Sequence, residues 1–100
     1  MSYSYALAER GKTLATRPLG SQMREDLVRS AEDESEVVLD FTDVIGASHS
    51  FADEFVACLV EEAREGTLSF TLAIHGAAPD VERVIQKALE RRGLRAPVAA

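Results

Sequence analysis

Apolar and polar positions change rhythm several times along the chain, and each change marks an element. Tyr3, Tyr5 and Leu7 alternate with Ser4, Ala6 and Ala8, the period-2 pattern of a strand. Glu9-Arg10-Gly11-Lys12 follows as a turn and Thr13-Leu14-Ala15-Thr16 as a short second strand, which together predict a β-hairpin. Pro18 suits the first turn of a helix, where its missing N–H costs nothing, and Leu19, Met23, Leu27 and Ala31 recur behind it at helical spacing. Glu32-Asp33-Glu34-Ser35 ends that helix. Val37, Leu39 and Phe41 then alternate with Glu36, Val38 and Asp40 as a central strand. After the small and polar loop Gly46-Ala47-Ser48-His49-Ser50 the spacing becomes helical again, with Phe51, Phe55 and Leu59 beside Ala52, Val56 and Val60. Gly66 stops this helix. Leu68, Phe70, Leu72 and Ile74 return to strand rhythm over residues 67–75, and a last helix carries Val81, Val84, Ile85, Ala88 and Leu89 before Arg91-Arg92-Gly93 closes it.

The predicted order is ββαβαβα, which belongs to small α/β domains. Strands covered on both faces read as continuous apolar runs. These alternate instead, with Glu36, Val38, Asp40, Ser69, Thr71, Ala73 and His75 sharing the side away from the core. The expectation is a two-layer α/β sandwich, a mixed sheet of four to five strands with helices on one face. One domain is expected over residues 1–93, followed by a disordered tail over 94–100 that holds Pro97 and little to pin it.

Composition narrows the function classes. The formal net charge of −6 opposes binding to a phosphate backbone, so nucleic acid is not an expected partner. The apolar runs are too short for a membrane span and the N-terminus lacks a signal-peptide pattern, which makes a cytoplasmic location the expectation. The single cysteine, Cys58, excludes an internal disulfide; among Phe55, Leu59 and Val60 it reads as a small buried hydrophobe. Charge is unevenly spread: residues 25–54 hold ten acids against one base, Arg29, whereas residues 80–95 hold three acids against five bases. No glycine-rich phosphate loop, nucleophile elbow or metal-binding signature occurs, so neither an enzyme, a metal nor a cofactor is expected.

One stretch resembles a known family. Val38-Leu39-Asp40-Phe41-Thr42-Asp43-Val44, a loop of small and hydroxyl residues, then Ser50-Phe51-Ala52-Asp53-Glu54 is similar to the STAS-like domains of bacteria, relatives of the anti-sigma factor antagonists. The resemblance runs over roughly residues 10–93. It implies a non-enzymatic signalling module that binds a kinase-type anti-sigma factor, a histidine-kinase-like ATPase. It further implies control by phosphorylation of a serine at the start of the helix after the central strand. In that family the acceptor follows an aspartate in an Asp-Ser-Ser-Gly or Asp-Ser-Thr-Gly motif. Counted from Asp40, the aspartate position falls on Ser48, the acceptor on His49, the next hydroxyl on Ser50 and the glycine on Phe51. The candidate phosphoacceptors are therefore the flanking Ser48 and Ser50.

The partner-binding surface is expected on the loop and the following helix, through Ile45, Ser48, His49, Ser50 and Phe51, with Asp53, Glu54, Glu61 and Arg64 as a polar rim. Ser50-Phe51-Ala52-Asp53 also fits a capping box, in which the Ser50 hydroxyl caps the helix. Asp53 and Glu54 lie within the same first turn and would repel a phosphate placed on Ser50, whereas Ser48 sits in the more accessible loop. Asp40 and Asp43 flank the end of the central strand; paired carboxylates can do acid–base work or hold Mg²⁺, and more often an aspartate there caps a turn or meets solvent. The alternative to a switchable binder is a scaffolding subunit or homodimer that buries the open sheet face around Val38, Thr71 and Ala73.

Overall fold

A computed structural model of the chain describes residues 2–97. Strand β1 (Ser2–Ala6) runs into a 3-10 turn (Leu7–Glu9), then β2 (Thr13–Leu14), helix α1 (Arg17–Ser30), β3 (Glu36–Asp40) and β4 (Gly46–Ala47). A helix in three consecutive segments follows: α2 (His49–Ala52), a π-helical segment (Asp53–Ala57) and α3 (Cys58–Glu65). Strand β5 (Thr71–His75) and helix α4 (Pro79–Arg91) complete the fold.

The strands form two parallel sheets, one of order β1-β3-β5 and one pairing β2 with β4. Among the described residues neither the mixed sheet nor the hairpin expected from the sequence is present. The reason lies in what each backbone finds to bond with. Leu7–Glu9 turns the chain away from β1, and the Arg10 N–H closes onto the Leu7 carbonyl at 2.9 Å. Beyond Gly11 the Lys12 carbonyl accepts from the Ile45 and Gly46 N–H groups at 2.8 and 3.2 Å, so β2 pairs with the loop leaving β3 instead of with β1. β1 lies beside β3, with Tyr3 opposite Val37 and Tyr5 opposite Leu39. The expected order of elements otherwise holds, with β4 added and the last strand shortened to Thr71–His75.

The register puts Tyr3, Tyr5, Val37, Leu39, Leu72 and Ile74 on one sheet face. Met23 and Leu27 of α1, Phe51, Phe55 and Leu59 of the segmented helix, and Val81, Ile85 and Leu89 of α4 join that face in one core cluster. Across the sheet Ser4, Thr71 and His75 are exposed, Val38 and Asp40 half-buried and the small Ala73 buried, so the open face expected around Val38, Thr71 and Ala73 is open at Thr71 and covered in part at the other two. Tyr5 ties β1 to α1: its hydroxyl donates to Asp26 Oδ2 at 3.1 Å, and burial pushes its pKa up to about 12. Leu94 is buried at 7% exposure and its N–H donates to the Leu89 carbonyl, so packing extends past residue 93 into the expected tail. Of that tail, residues 98–100 lie outside the described residues. No helix among the described residues is long and apolar enough to cross a membrane.

Candidate functional site

The loops that leave the carboxyl ends of β3 and β5 are built on one hydrogen-bonded corner. The Phe41 N–H donates to the His75 carbonyl at 2.8 Å, and Asp40 Oδ1 accepts from the Thr42 N–H at 3.0 Å and its hydroxyl at 2.6 Å. Those two Thr42 bonds hold the Asp40 carboxyl below its usual pKa. Gly76 has φ +77°, and a Cβ there would lie 2.4 Å from Thr42 Oγ1, so the close approach of the two strand ends needs glycine. The Val44 N–H then closes a turn onto the Phe41 carbonyl, with Asp43 between them in the left-handed region that aspartate tolerates. Val44 is buried, and the next side chain, Ile45, stands 73% exposed.

Ser48 sets the start of the helix. Its N–H donates to the Leu14 carbonyl, its hydroxyl donates to the Ala15 carbonyl at 2.7 Å, and that same oxygen accepts from the Phe51 N–H at 3.0 Å. The cap is therefore Ser48 and not Ser50, because pairing with β2 holds Ser48 extended just ahead of the helix. Ser50 lies inside the first turn, exposed, and its hydroxyl has no hydrogen-bond partner among the described residues. Of the two candidate phosphoacceptors, Ser48 spends its hydroxyl on structure and Ser50 leaves its own free.

Phe51 corrects another expectation. It is fully buried, with its ring stacked 5.4 Å from Phe55, so it belongs to the core and not to a contact surface. A helix stripe of large apolar residues turns toward the sheet. Ile45, Ser48, His49 and Ser50 are brought together by the loop and first turn. Arg64 is exposed at the far end of α3, and fifteen residues of helical rise put it roughly 22 Å from His49.

Asp53 and Glu54 turn toward arginines from other elements. Arg92, just past α4, holds Asp53 with two prongs, Nε to Oδ1 at 2.7 Å and Nη2 to Oδ2 at 3.0 Å, and reaches Glu61 with Nη1 at 2.9 Å. Arg17 of α1 adds Nη1 contacts of 2.9 Å to Asp53 and 3.3 Å to Glu54. The Arg92 bonds, seconded by Arg17, draw the Asp53 pKa down to about 2. Arg24 holds Glu54 Oε2 at 2.6 Å and lowers the Glu54 pKa. The expected rim of Asp53, Glu54 and Glu61 thus carries internal ion pairs. Reversing the charge of the first two would set lysines against Arg17, Arg24 and Arg92, so such a variant does not leave the packing undisturbed.

The π-helical segment explains one further contact. The Cys58 N–H reaches back five positions to the Asp53 carbonyl and passes over that of Glu54. Arg24 Nε donates to this Glu54 carbonyl at 3.0 Å. The close approach of α1 relies on Gly20, where a Cβ would lie 3.1 Å from Glu54 Cβ and 3.2 Å from the Phe51 carbonyl oxygen. None of these arginines is among the site residues expected from the sequence. The available signal was the seven-residue spacing of Arg17 and Arg24 on one helix face.

Arg17, His49, Ser50, Asp53, Ala88 and Arg91 line a cleft of about 210 Å³ between the helix start and α4. A larger cleft, about 650 Å³ between α1 and the chain entering β5, includes Arg24, Val28, Arg29, Leu68 and Phe70 in its lining, and there Arg24 is already committed to Glu54 and Glu62. No group of three or more His, Cys, Asp or Glu side chains that could hold a metal occurs among the described residues.

Parallel strands under a layer of helices, with an exposed hydrophobic residue and a free hydroxyl on the loop and first turn beyond β3, define a small α/β domain with a compact candidate contact site. The family described as a STAS-like domain of unknown function (DUF4325) matches residues 20–82, and the chain belongs to that family. No curated protein and no solved structure matches it.

Proposed function

We propose that this STAS-like domain is a non-enzymatic protein-interaction module of bacterial signalling, similar to an anti-sigma factor antagonist. Its partner is a kinase-type ATPase, and contact is made through Ile45, His49 and the first turn of the helix. The observation that carries the reading is Ile45, 73% exposed on a loop whose backbone is tied on both sides to buried structure. An isoleucine held out in this way serves as an anchor for a pocket on another protein. Ser50, exposed and two residues past the cap, is the site of modification in this reading. The partner transfers the γ-phosphoryl group of its bound nucleoside triphosphate. The Ser50 Oγ–P bond forms as the P–O bond to the nucleoside diphosphate breaks, and the hydroxyl proton passes to a base on the partner. The phosphate then places up to two negative charges beside the anchor and disfavours the complex.

The test uses tagged wild-type protein, Ile45→Asp and Ser50→Ala in affinity capture from native cells, followed by incubation of the captured material with radiolabelled ATP. The expected result is a kinase-type ATPase recovered with the wild type and with Ser50→Ala but not with Ile45→Asp, and label on the wild type alone. Equal recovery with Ile45→Asp refutes the surface. Label that persists in Ser50→Ala refutes the switch.

A further inference from the structure

The sequence raises an objection to a phosphate on Ser50, because Asp53 lies one turn along the same helix face. The ion pairs remove it. Asp53 is held by more cation than it needs: Arg92 grips both carboxylate oxygens, and Arg17 adds one contact through Nη1 alone. The Arg17 side chain is half-exposed, and its Nε and Nη2 make no hydrogen bond among the described residues. Arg91, on the far wall of the same cleft, is exposed and makes no ion pair among the described residues. The Glu54 carboxylate is likewise doubly held and keeps Arg24 if Arg17 departs.

Resting on the reading of Ser50 as the modified residue, we infer that this cleft is a built receptor for the Ser50 phosphate: Arg17 and Arg91 close on the phosphoryl oxygens, and Arg17 releases Asp53 to Arg92. Arg17, Arg91 and Arg92 bring three positive charges to Asp53 and a phosphate of up to two negative charges, while Glu61 draws on Arg92 from the other side. Guanidinium groups suit this role because each presents paired N–H donors to phosphate oxygens. Modification therefore changes the surface and leaves the fold standing. The regulated object is the position of the Arg17 and Arg91 side chains beside the helix start.

The experiment needs no partner, so it stands or falls apart from the identity of any kinase. Phosphoserine is installed at position 50 during synthesis, and the phosphate is titrated by ³¹P NMR in the wild-type background, in Arg91→Gln and in Arg17→Gln with Arg91→Gln. An unstructured phosphoserine loses its second proton near pH ~6. The expected midpoint in the wild-type background falls about one pH unit lower, as for an acid beside arginine. It returns part of the way in Arg91→Gln and to the peptide value in the double variant. A phosphate that titrates like the free peptide in the wild-type background overturns the proposal, as does a shift that neither substitution reduces. Arg91 is exposed, so its substitution keeps the test valid even if the double variant fails to fold. In the unmodified protein Arg17→Gln is expected to move the thermal midpoint by only a few degrees, because Arg92 retains Asp53. A collapse of the fold in that variant would contradict the spare role assigned to Arg17.

Discussion

Replacing Arg24 by methionine separates the π-helical segment from the ion pairs around it. Methionine keeps most of the aliphatic stem and removes three interactions: Nε to the Glu54 carbonyl at 3.0 Å, Nη2 to Glu54 Oε2 at 2.6 Å and Nη1 to Glu62 Oε1 at 3.3 Å. The Arg24 and Glu54 side chains retain 22% and 18% exposure, so water screens the carboxylate pairs, which together contribute about 0.5–1 kcal/mol. The carbonyl bond is different, because it joins a charged donor to the Glu54 backbone, which the Cys58 N–H passes over in favour of the Asp53 and Phe55 carbonyls. A charged donor on such a group contributes about 1.5 kcal/mol. The total, about 2 kcal/mol, lowers the thermal midpoint of a domain this size by roughly 10 °C. Glu54→Gln is the control, since it keeps the carbonyl bond and weakens the Glu54 pairs with Arg24 and Arg17, for a loss of about 0.5–1 kcal/mol. Urea denaturation followed by circular dichroism measures both variants with a common slope. If Arg24→Met costs no more than Glu54→Gln, the carbonyl bond contributes nothing and the reasoning fails.

Three more outcomes follow from the geometry. Ser48→Ala removes the helix cap and should cost about 1–2 kcal/mol, whereas Ser50→Ala should stay within about 0.5 kcal/mol of wild type by the same denaturation assay. Phe51→Ala opens the core at a stacked ring and should cost about 3–5 kcal/mol, while Ile45→Asp, on the exposed loop, should leave the midpoint nearly unchanged; equal effects would mean that one of the two burials is misassigned. Asp53 has its folded pKa depressed to about 2, so its contribution is present above the unfolded value and lost as pH falls through the folded one. Asp53→Asn should therefore cost about 2 kcal/mol at neutral pH and remove part of the loss of stability between pH ~4 and ~2, which acid titration of the unfolding midpoint would reveal.

Periodicity made much of this fold legible. Tyr3 and Tyr5, Val37 and Leu39, and Leu72 and Ile74 alternate because one side of their sheet meets helices and the other does not, and that contrast is written residue by residue. Strand pairing is not local. Whether Thr13 and Leu14 return to β1 or continue to β4 depends on where Ile45 and Gly46 place their N–H groups, more than thirty positions later. Phe51 shows the conflict within one residue. Its spacing to Phe55 marks it as core, while its place beside Ser50 in a family motif suggests contact, and burial decides for the first. The two serines have similar neighbours, and only the backbone pairing of Ser48 tells the cap from the free hydroxyl. The arginine contacts span 30 to 39 positions and obey no period, and Asp-Glu-Phe-Val-Ala carries no residue that marks a π-helical segment.

That segment also bears on how the two ends of the helix are phased. It holds one residue more than a regular α-helix would use over the same rise, and one residue corresponds to about 100° of rotation. The extra residue is taken up within one wider turn, so the Ser50 turn and the core-locked Leu59 and Val60 keep the positions that an α-helix one residue shorter would give them. Loss of one residue from 53–57 would therefore restore a regular α-helix with both of its ends in place. Its cost would fall on the contacts of the segment itself, the Arg24 bond to the Glu54 carbonyl among them. The wide turn is thus a local adjustment that serves its own contacts, and the chain should tolerate that shortening far better than it would tolerate one in the regular helix on either side.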